Sequence, residues 1–331
     1  MNHGIKLGVT ALMILSTGAA PIAAQAASTG SGQDYPNKPV RFVVPFPPGG
    51  GTDTLGRIVG QQVAKSIGQS VVIDNRPGAG ANIGAEIAAR AAPDGYTLLM
   101  GNLAHAVNVT LYRKPGYDIV KDFDPVTLLA WAPNILVTHP SVAAKNVPEL
   151  IALTKKSPGA FNYASSGSGS SAHLSGELFK HMTSTDIVHV PYKGGGPAVA
   201  SLLGGETKIG FATMPSVLVQ TQSGKLRALA VTGEKRSPAA PELPTIAESG
   251  VAGYAANGWY SAMVPAGTPK PIVARLHKEL IAAVSDKGVQ AQLARLGFDI
   301  ETGTPDDFRK TLAAEIKKWG VVVKAANLRA D

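Results

Sequence analysis

Residues 40–59 read VRFVVPFPPGGGTDTLGRIV. The β-branched run Val40–Val44 predicts a buried strand, and apolar residues at helical spacing from Leu55 onward predict an amphipathic helix over 53–68. A turn rich in glycine and proline joins the two. Because a strand that passes through a short turn into a helix is the repeating unit of α/β proteins, this stretch predicts an α/β fold.

The same unit recurs along the rest of the chain. Short β-branched runs alternate with amphipathic stretches, which predicts right-handed crossovers and mostly parallel sheets flanked by helices. The other predicted strands are 71–73, 96–100, 135–138, 161–164, 187–190, 208–211, 227–231 and 258–264. Predicted helices cover 82–92, 271–285 and 305–324, and others begin near residues 146, 172 and 197.

Two series of strands and helices predict two lobes. We place the chain crossings between the lobes near Trp131 and Lys225. This predicts a first lobe built from 35–131 and 228–331, and a second lobe built from 132–227. The C-terminal third of the chain would then return to the first lobe.

The N-terminus has the pattern of an export signal. Lys6 precedes an apolar stretch over 7–15, and small residues lead to Ala24-Gln25-Ala26, a form that signal peptidase accepts. The apolar stretch is too short and too interrupted to span a membrane. We therefore expect a signal peptide over 1–26 with cleavage near Ala26, a flexible leader over 27–34, and a periplasmic protein.

Charge and composition limit the classes of function. The 331 residues carry a formal net charge of +8, but the Lys and Arg residues are scattered singly. No nucleic-acid partner is therefore predicted, and the positive charge favours an anionic solute. The chain has no cysteine, which excludes thiol nucleophiles, disulfides and thiolate metal sites.

Five predicted strand-to-helix loops are rich in glycine or in polar side chains. Such loops lie at the carboxyl ends of parallel strands, where ligands bind, and the free N–H groups of the following helix favour an anion. Glycine also lets a ligand approach the backbone closely. The loops are 45–53, 77–82, 101–105, 165–171 and 192–196. Together they predict one shared anion site.

Patterns for catalysis or metal binding are weak. Residues 49–52 lack the lysine of a P-loop, 78–84 is one residue off the dinucleotide fingerprint, and 165–171 contains no nucleophile elbow. His173 and His189 could be a base or metal ligands. However, a lone His–Glu pair on a helix and a histidine inside an apolar strand are ordinarily structural. We predict no catalytic residue, no metal and no cofactor.

Several sequence blocks resemble the substrate-binding proteins of tripartite tricarboxylate transporters, also called the Bug family. The similarity runs in order over 35–324 and is specific. The blocks are YPNKPVR at 35–41, VPFPPGGGTD at 44–53, NRPGAGA at 75–81, PDGYTLL at 93–99, SGSGSSAHL at 166–174, HVPYKG at 189–194, GKLRALA at 224–230, PTIAESG at 244–250 and PAGTP at 265–269.

The resemblance implies a two-lobed periplasmic binding protein with the type II Venus-flytrap fold. Such a receptor captures a small carboxylate between its lobes and delivers it to the membrane permease subunits of a tripartite transporter. We expect a monomer. A periplasmic sensor subunit that signals to a receptor kinase is the alternative, and an enzyme is the third class.

The resemblance also implies a set of ligand-binding residues. Family members hold a ligand carboxylate through backbone groups, hydroxyls and water, which places the carboxylate on the loops around Gly51 and 79–81. Ser166 and Ser170 would close from the second lobe, although Ser170 could instead cap a helix. The full predicted set is Gly50, Gly51, Thr52, Ala79, Gly80, Ala81, Asn102, Asn134, Ser166, Ser170, Tyr192 and Thr213.

The sequence leaves the ligand open. Trp131, Tyr192 and Trp259 would suit an aromatic acid, or they pack in the core or at a hinge. After Phe211, where relatives often carry an acidic residue, this chain has Ala212-Thr213. If position 212 faces the cleft, an ammonium group on the ligand would lack a partner. We therefore expect a dicarboxylate, an aromatic acid or a hydroxy acid rather than an amino acid.

Overall fold

The computed structural model describes Met1, His3 and residues 35–330. The predicted cleavage site after Ala26 and the predicted leader over 27–34 lie outside the described residues. Among the helices of the described chain, none is long and apolar enough to cross a membrane.

Strands and helices largely alternate along residues 40–325. The strands are β1 (Val40–Val44), β2 (Val71–Asn75), β3 (Thr97–Asn102), β4 (Phe123–Thr138), β5 (Phe161–Ser165), β6 (Ile187–Pro191), β7 (Ile209–Thr213), β8 (Arg227–Val231), β9 (Asn257–Pro265) and β10 (Asp299–Ile300). The helices are α1 (Gly51–Ile67), α2 (Asn82–Ala89), α3 (Leu103–Leu111), α4 (Val147–Lys156), α5 (Ser171–Thr183), α6 (Gly195–Gly204), α7 (Met214–Gln222), α8 (Lys270–Ser285), α9 (Lys287–Arg295) and α10 (Pro305–Ala325).

Two sheets share the long strand β4. The first sheet has the order β2-β1-β3-β9-β4-β10, and the second has the order β8-β4-β7-β5-β6. The pairs that follow the strand–helix–strand pattern are parallel: β1 with β2 and β3, and β5 with β6 and β7. The pairs made by β4 and β9 are antiparallel, so both sheets are mixed. Each sheet with its helices is called a lobe below.

Strand β4 carries the chain from the first lobe to the second. Its residues 123–133 pair with β9 in the first sheet, and residues 134–138 pair with β7 and β8 in the second. Trp131 lies opposite Trp259 of β9, just before this change of partner. This change of pairing partner lies close to the predicted crossing, and the lobe boundary itself stays a prediction.

The return crossing comes later than the sequence analysis expects. The predicted position was near Lys225, but β8 pairs with β4 in the second sheet. The chain leaves that sheet only beyond Thr232, whose hydroxyl accepts a hydrogen bond from the backbone N–H of Asn134 at 2.8 Å. It enters β9 at Asn257. A short apolar strand has the same pattern in either sheet, so its pairing alone decides which lobe it joins.

Alternate residues of the central strands pack into different hydrophobic cores. Phe211 of β7 belongs to a core that runs along one face of both sheets and receives α2, α3, α4, α5 and α10. Ala212, the next residue, packs in a separate core of the second lobe with α6 and α7. The other face of the first sheet is covered by α1, α8 and α9. The period-two alternation of strands therefore gives each sheet helices on both faces.

Candidate functional site

A cleft opens where the carboxyl ends of the parallel strands of both lobes meet. Its empty space is about 450 Å³, a figure that includes open solvent at its mouth. Loops after β1, β3, β5 and β6, the end of β7, and part of β9 supply the lining. The lining residues are Phe46, Gly50, Gly51, Thr52, Asn102, Leu103, Ala104, Ser166, Ser170, Ser171, Gly195, Thr213, Gly258, Trp259 and Tyr260.

Five helices present their N-termini to this cleft. The N-caps or first residues of α1, α3, α5, α6 and α7 are all among the lining residues. Three of these helices, α1, α6 and α7, have no capping side chain. The first intrahelical bond of α1 is from Thr54 N–H to Gly50 C=O, so earlier N–H groups have no acceptor within the helix. The cleft is therefore surrounded by the positive ends of peptide dipoles.

None of the described residues that line the cleft has a charged side chain. The nearest acid on a lining loop, Asp53, is turned away from the cleft and accepts hydrogen bonds from Gly49, Arg57 and Asn75. Burial alone would raise the pKa of Asp53, but these hydrogen bonds and the Arg57 charge outweigh it and lower that pKa. Asp53 is a paired carboxylate, and the lining itself presents peptide and hydroxyl dipoles without a formal charge.

The first-lobe wall joins two helix N-termini. Asn102, the N-cap of α3, accepts from the Ala104 N–H at 3.1 Å, and its amide nitrogen donates to Thr52 Oγ1 at 3.3 Å. The Thr52 hydroxyl therefore keeps its own hydrogen to donate to another group. Gly51 does not have a left-handed φ. A Cβ there would lie 2.7 Å from the Tyr260 hydroxyl oxygen, so space rather than backbone angle requires this glycine.

The second-lobe wall carries three predicted hydroxyls. Ser170 caps α5: its hydroxyl donates to Gly167 C=O at 2.6 Å and accepts from the His173 N–H at 3.3 Å. Thr213 shares a hydrogen bond of 2.6 Å with Ser216. In the described residues the Ser166 hydroxyl has no hydrogen-bond partner within the protein. Ser166 is thus the freest of the three to meet a ligand.

Seven of the predicted residues line the cleft: Gly50, Gly51, Thr52, Asn102, Ser166, Ser170 and Thr213. Ala79, Gly80 and Ala81 do not, because they follow β2, the edge strand farthest from β4 in the first sheet. A Cβ on Gly80 would lie 2.8 Å from the Ser168 carbonyl oxygen, so this loop contacts the second lobe beside the cleft.

Asn134 and Tyr192 also lie outside the lining. Asn134 is fully buried, and its amide nitrogen donates to Ser175 Oγ at 2.8 Å, so it supports α5 from behind. The Tyr192 hydroxyl hydrogen-bonds to Ser201. For these two residues and the 79–81 loop, direct ligand contact stays a prediction.

Position 212 does not face the cleft, which corrects the expectation built on it. Ala212 is 9% exposed and packs in the second-lobe core. Thr213, one residue on, reaches the lining because side chains alternate along β7. The absence of an acid at position 212 therefore says nothing about the ligand, whereas the uncharged lining does.

Sequence reasoning missed the contribution of β9. Gly258, Trp259 and Tyr260 line the cleft, although the apolar pattern of their strand predicts only a core element. Trp259 was considered as an aromatic contact, and it is fully buried against Phe308. Neither residue type nor spacing indicates that this strand runs along the floor of the site.

His173 and His189 form a stack behind the second-lobe wall. Their rings are 4.1 Å apart, and the Gly169 N–H donates to His173 Nδ1 at 3.1 Å. His189 Nε2 lies 2.6 Å from Ser165 Oγ. Burial lowers the pKa of His173 to about 4, and burial together with His173 lowers the pKa of His189 to about 3. The pair is neutral at pH 7 and supports the serine-rich loop.

Comparison with known proteins gives a consistent family match. Residues 55–328 match the tripartite tricarboxylate transporter family receptor. Protein BugT of Bordetella pertussis is 38% identical over 327 residues, which is 98% of this chain and 98% of BugT.

Solved structures agree with this match. An R. palustris protein with adipate is 39% identical, has a TM-score of 0.87, and is aligned over 89% of this chain and 99% of its own. The periplasmic binding protein BugD is 33% identical with a TM-score of 0.86, over 90% of this chain and 100% of its own. These matches confirm the predicted fold class, a two-lobed α/β binding protein.

We expect Ser170→Ala to lower the free energy of unfolding by about 1 kcal/mol, because the α5 N-cap is lost. Urea denaturation measures this. Ser166→Ala is the matched control and should leave stability within about 0.5 kcal/mol of wild type. An unchanged stability of Ser170→Ala would contradict the capping role.

Stability should fall as the pH drops from about 6.5 to about 4. His173 and His105 are buried with pKa values lowered to about 4, so the unfolded chain takes up protons first. Each contributes a slope of about 1.4 kcal/mol per pH unit in that window. Urea midpoints measured between pH 7.5 and 4.5 test this. His173→Gln should reduce the slope by one such increment, and the exposed-site control His181→Gln should not.

Proposed function

The chain belongs to the tripartite tricarboxylate transporter receptor family, and from that premise we propose that it captures a small carboxylate between its lobes and delivers it to the membrane permease of such a transporter. The observation that carries the proposal is the convergence of five helix N-termini on a cleft without charged lining residues. Such a site attracts an anion through oriented N–H groups.

One carboxylate has a natural place on the first lobe. The start of α1 offers N–H groups without an acceptor in the helix, and the neighbouring Thr52 hydroxyl keeps its hydrogen to donate. Ser166 and the N-termini of α6 and α7 face it from the second lobe. Donors on both sides favour a ligand with acceptors at both ends, and the relative with adipate holds a dicarboxylate.

An ammonium group on the ligand would be poorly accommodated. No lining residue in the described chain is a carboxylate, and a buried ammonium without a partner is costly. We therefore favour dicarboxylates, hydroxy acids or aromatic acids over amino acids. This preference rests on the uncharged lining as a whole and not on the residue at position 212.

The protein acts by binding and not by catalysis. The serine and threonine hydroxyls of the lining are not paired with a histidine, because the two stacked histidines lie behind the wall. We further propose that the receptor works in the periplasm as a monomer, after removal of the export signal, as expected for the family. The lobes close on the ligand, and the closed form is presented to the permease.

Titration calorimetry with adipate, succinate, citrate, benzoate and aspartate tests the proposal. At least one acid should bind without any product forming, and should stabilise the protein by about 2.7 kcal/mol at a hundred times its Kd. Succinate should bind more tightly than aspartate. Failure of every acid to bind, or turnover of any of them, would refute the proposed function.

Gly51→Val should weaken binding roughly a hundred-fold or more, because its side chain enters the carboxylate position. Gly51 does not have the left-handed φ that only glycine tolerates, but the new Cβ would lie 2.7 Å from the Tyr260 hydroxyl oxygen, so we also expect the melting temperature to fall. Gly204→Val is the control, because a Cβ at Gly204 meets no atom within 4 Å. Calorimetry with a melting curve separates affinity from stability. Normal binding by Gly51→Val would remove this loop from the site.

A further inference from the structure

We propose that Tyr260 is a ligand-binding residue, whose phenolic O–H donates a hydrogen bond to the bound carboxylate. This contact helps to select an anionic group at the first-lobe wall. The inference rests on the proposed function and deepens it. It adds a side chain from the floor of the cleft to a site otherwise built from loops and helix N-termini.

Strand pairing places Tyr260 between the two helices of the first-lobe wall. In the register of β9 with β3, Tyr260 lies opposite Asn102, the N-cap of α3. Its hydroxyl oxygen lies 2.7 Å from the position that a Cβ of Gly51 would occupy, at the first residue of α1. The phenol thus reaches the first residue of α1, a helix start whose earliest N–H groups have no acceptor within the helix, and Thr213 Oγ1 lies 3.5 Å from the same Cβ position.

The ring of Tyr260 has little freedom to move. The residue is 3% exposed and packs in the core beneath α1 and α8. Its ring meets Phe298 edge-to-face, with centroids 5.4 Å apart. This packing favours one position of the hydroxyl at the cleft, as a binding group requires.

The Tyr260 hydroxyl has no hydrogen-bond partner among the described residues, unlike the other buried tyrosines. The Tyr35 hydroxyl donates to Gly95 C=O at 2.6 Å, Tyr163 to Glu177 at 2.7 Å, and Tyr254 to Ser175 C=O at 2.8 Å. A buried tyrosine hydroxyl ordinarily finds a partner, because leaving it unpaired is costly. The exception is the one tyrosine of this group that lines the cleft.

The chemistry of the phenol suits a carboxylate. Burial raises the pKa of Tyr260, so the hydroxyl keeps its proton and remains a donor at neutral pH. An O–H donor to a carboxylate forms a charge-assisted hydrogen bond, which is stronger than a neutral one. The lack of a side chain on Gly51 leaves the space between hydroxyl and ligand open.

Tyr260→Phe tests the inference, because it removes the hydroxyl and keeps the packing. With the tightest-binding acid of the calorimetric panel as probe, affinity should fall about ten- to a hundred-fold. Without ligand the melting temperature should stay the same or rise, since the lost hydroxyl had no protein partner. The matched control is Tyr35→Phe in the same core, which should lose stability and keep wild-type affinity.

The outcomes separate the two proposals. Equal affinity of wild type and Tyr260→Phe would overturn the role of Tyr260 and leave the receptor function in place. A fall in melting temperature without a fall in affinity would make Tyr260 a core residue only. If the wild type binds no acid of the panel, the proposed function fails, and the role of Tyr260 fails with it.

Discussion

The N-terminal turn of a helix has N–H groups that the helix itself cannot satisfy, and this fold collects those turns in one place. Parallel strands that feed helices put every such turn at the carboxyl edge of their sheet. Strand β4 belongs to both sheets, so the two edges face each other across one cleft. The binding site therefore follows from the backbone before any side chain is considered. The glycines of the loops keep that backbone accessible.

A lining without charged side chains has physical consequences for a receptor. A buried arginine would lose its hydration in the ligand-free protein. It would also be left without a charge partner each time the ligand dissociates. Peptide dipoles and hydroxyls carry no such penalty and are already oriented. The formal net charge of +8 is spread over the chain and can attract anions from a distance. Attraction and final contact are thus provided by different parts of the molecule.

The second-lobe wall depends on buried polar groups behind it. The stacked histidines hold the serine-rich loop through the Gly169 N–H and Ser165. Asn134 ties the crossing strand to α5 through Ser175. The sequence analysis considered the two histidines as a base or metal ligands and Asn134 as a ligand contact. In the structure they position the wall, and their hydrogen-bonding atoms are largely used within the protein.

Local patterns in the amino-acid sequence predict the α/β class, most of the strands and helices, and the glycine- and hydroxyl-rich loops, because period-two and helical patterns and turn chemistry are local properties. The sequence also identified the family through ordered sequence blocks that cover most of the chain. Long-range packing alone determines which sheet β8 joins, that Ala212 is a core residue, and that the 79–81 loop lies beside the cleft. Only it brought Tyr260 of an apolar strand to the first turn of α1. These facts depend on strand order and register between segments far apart in the chain, and no local pattern encodes that pairing.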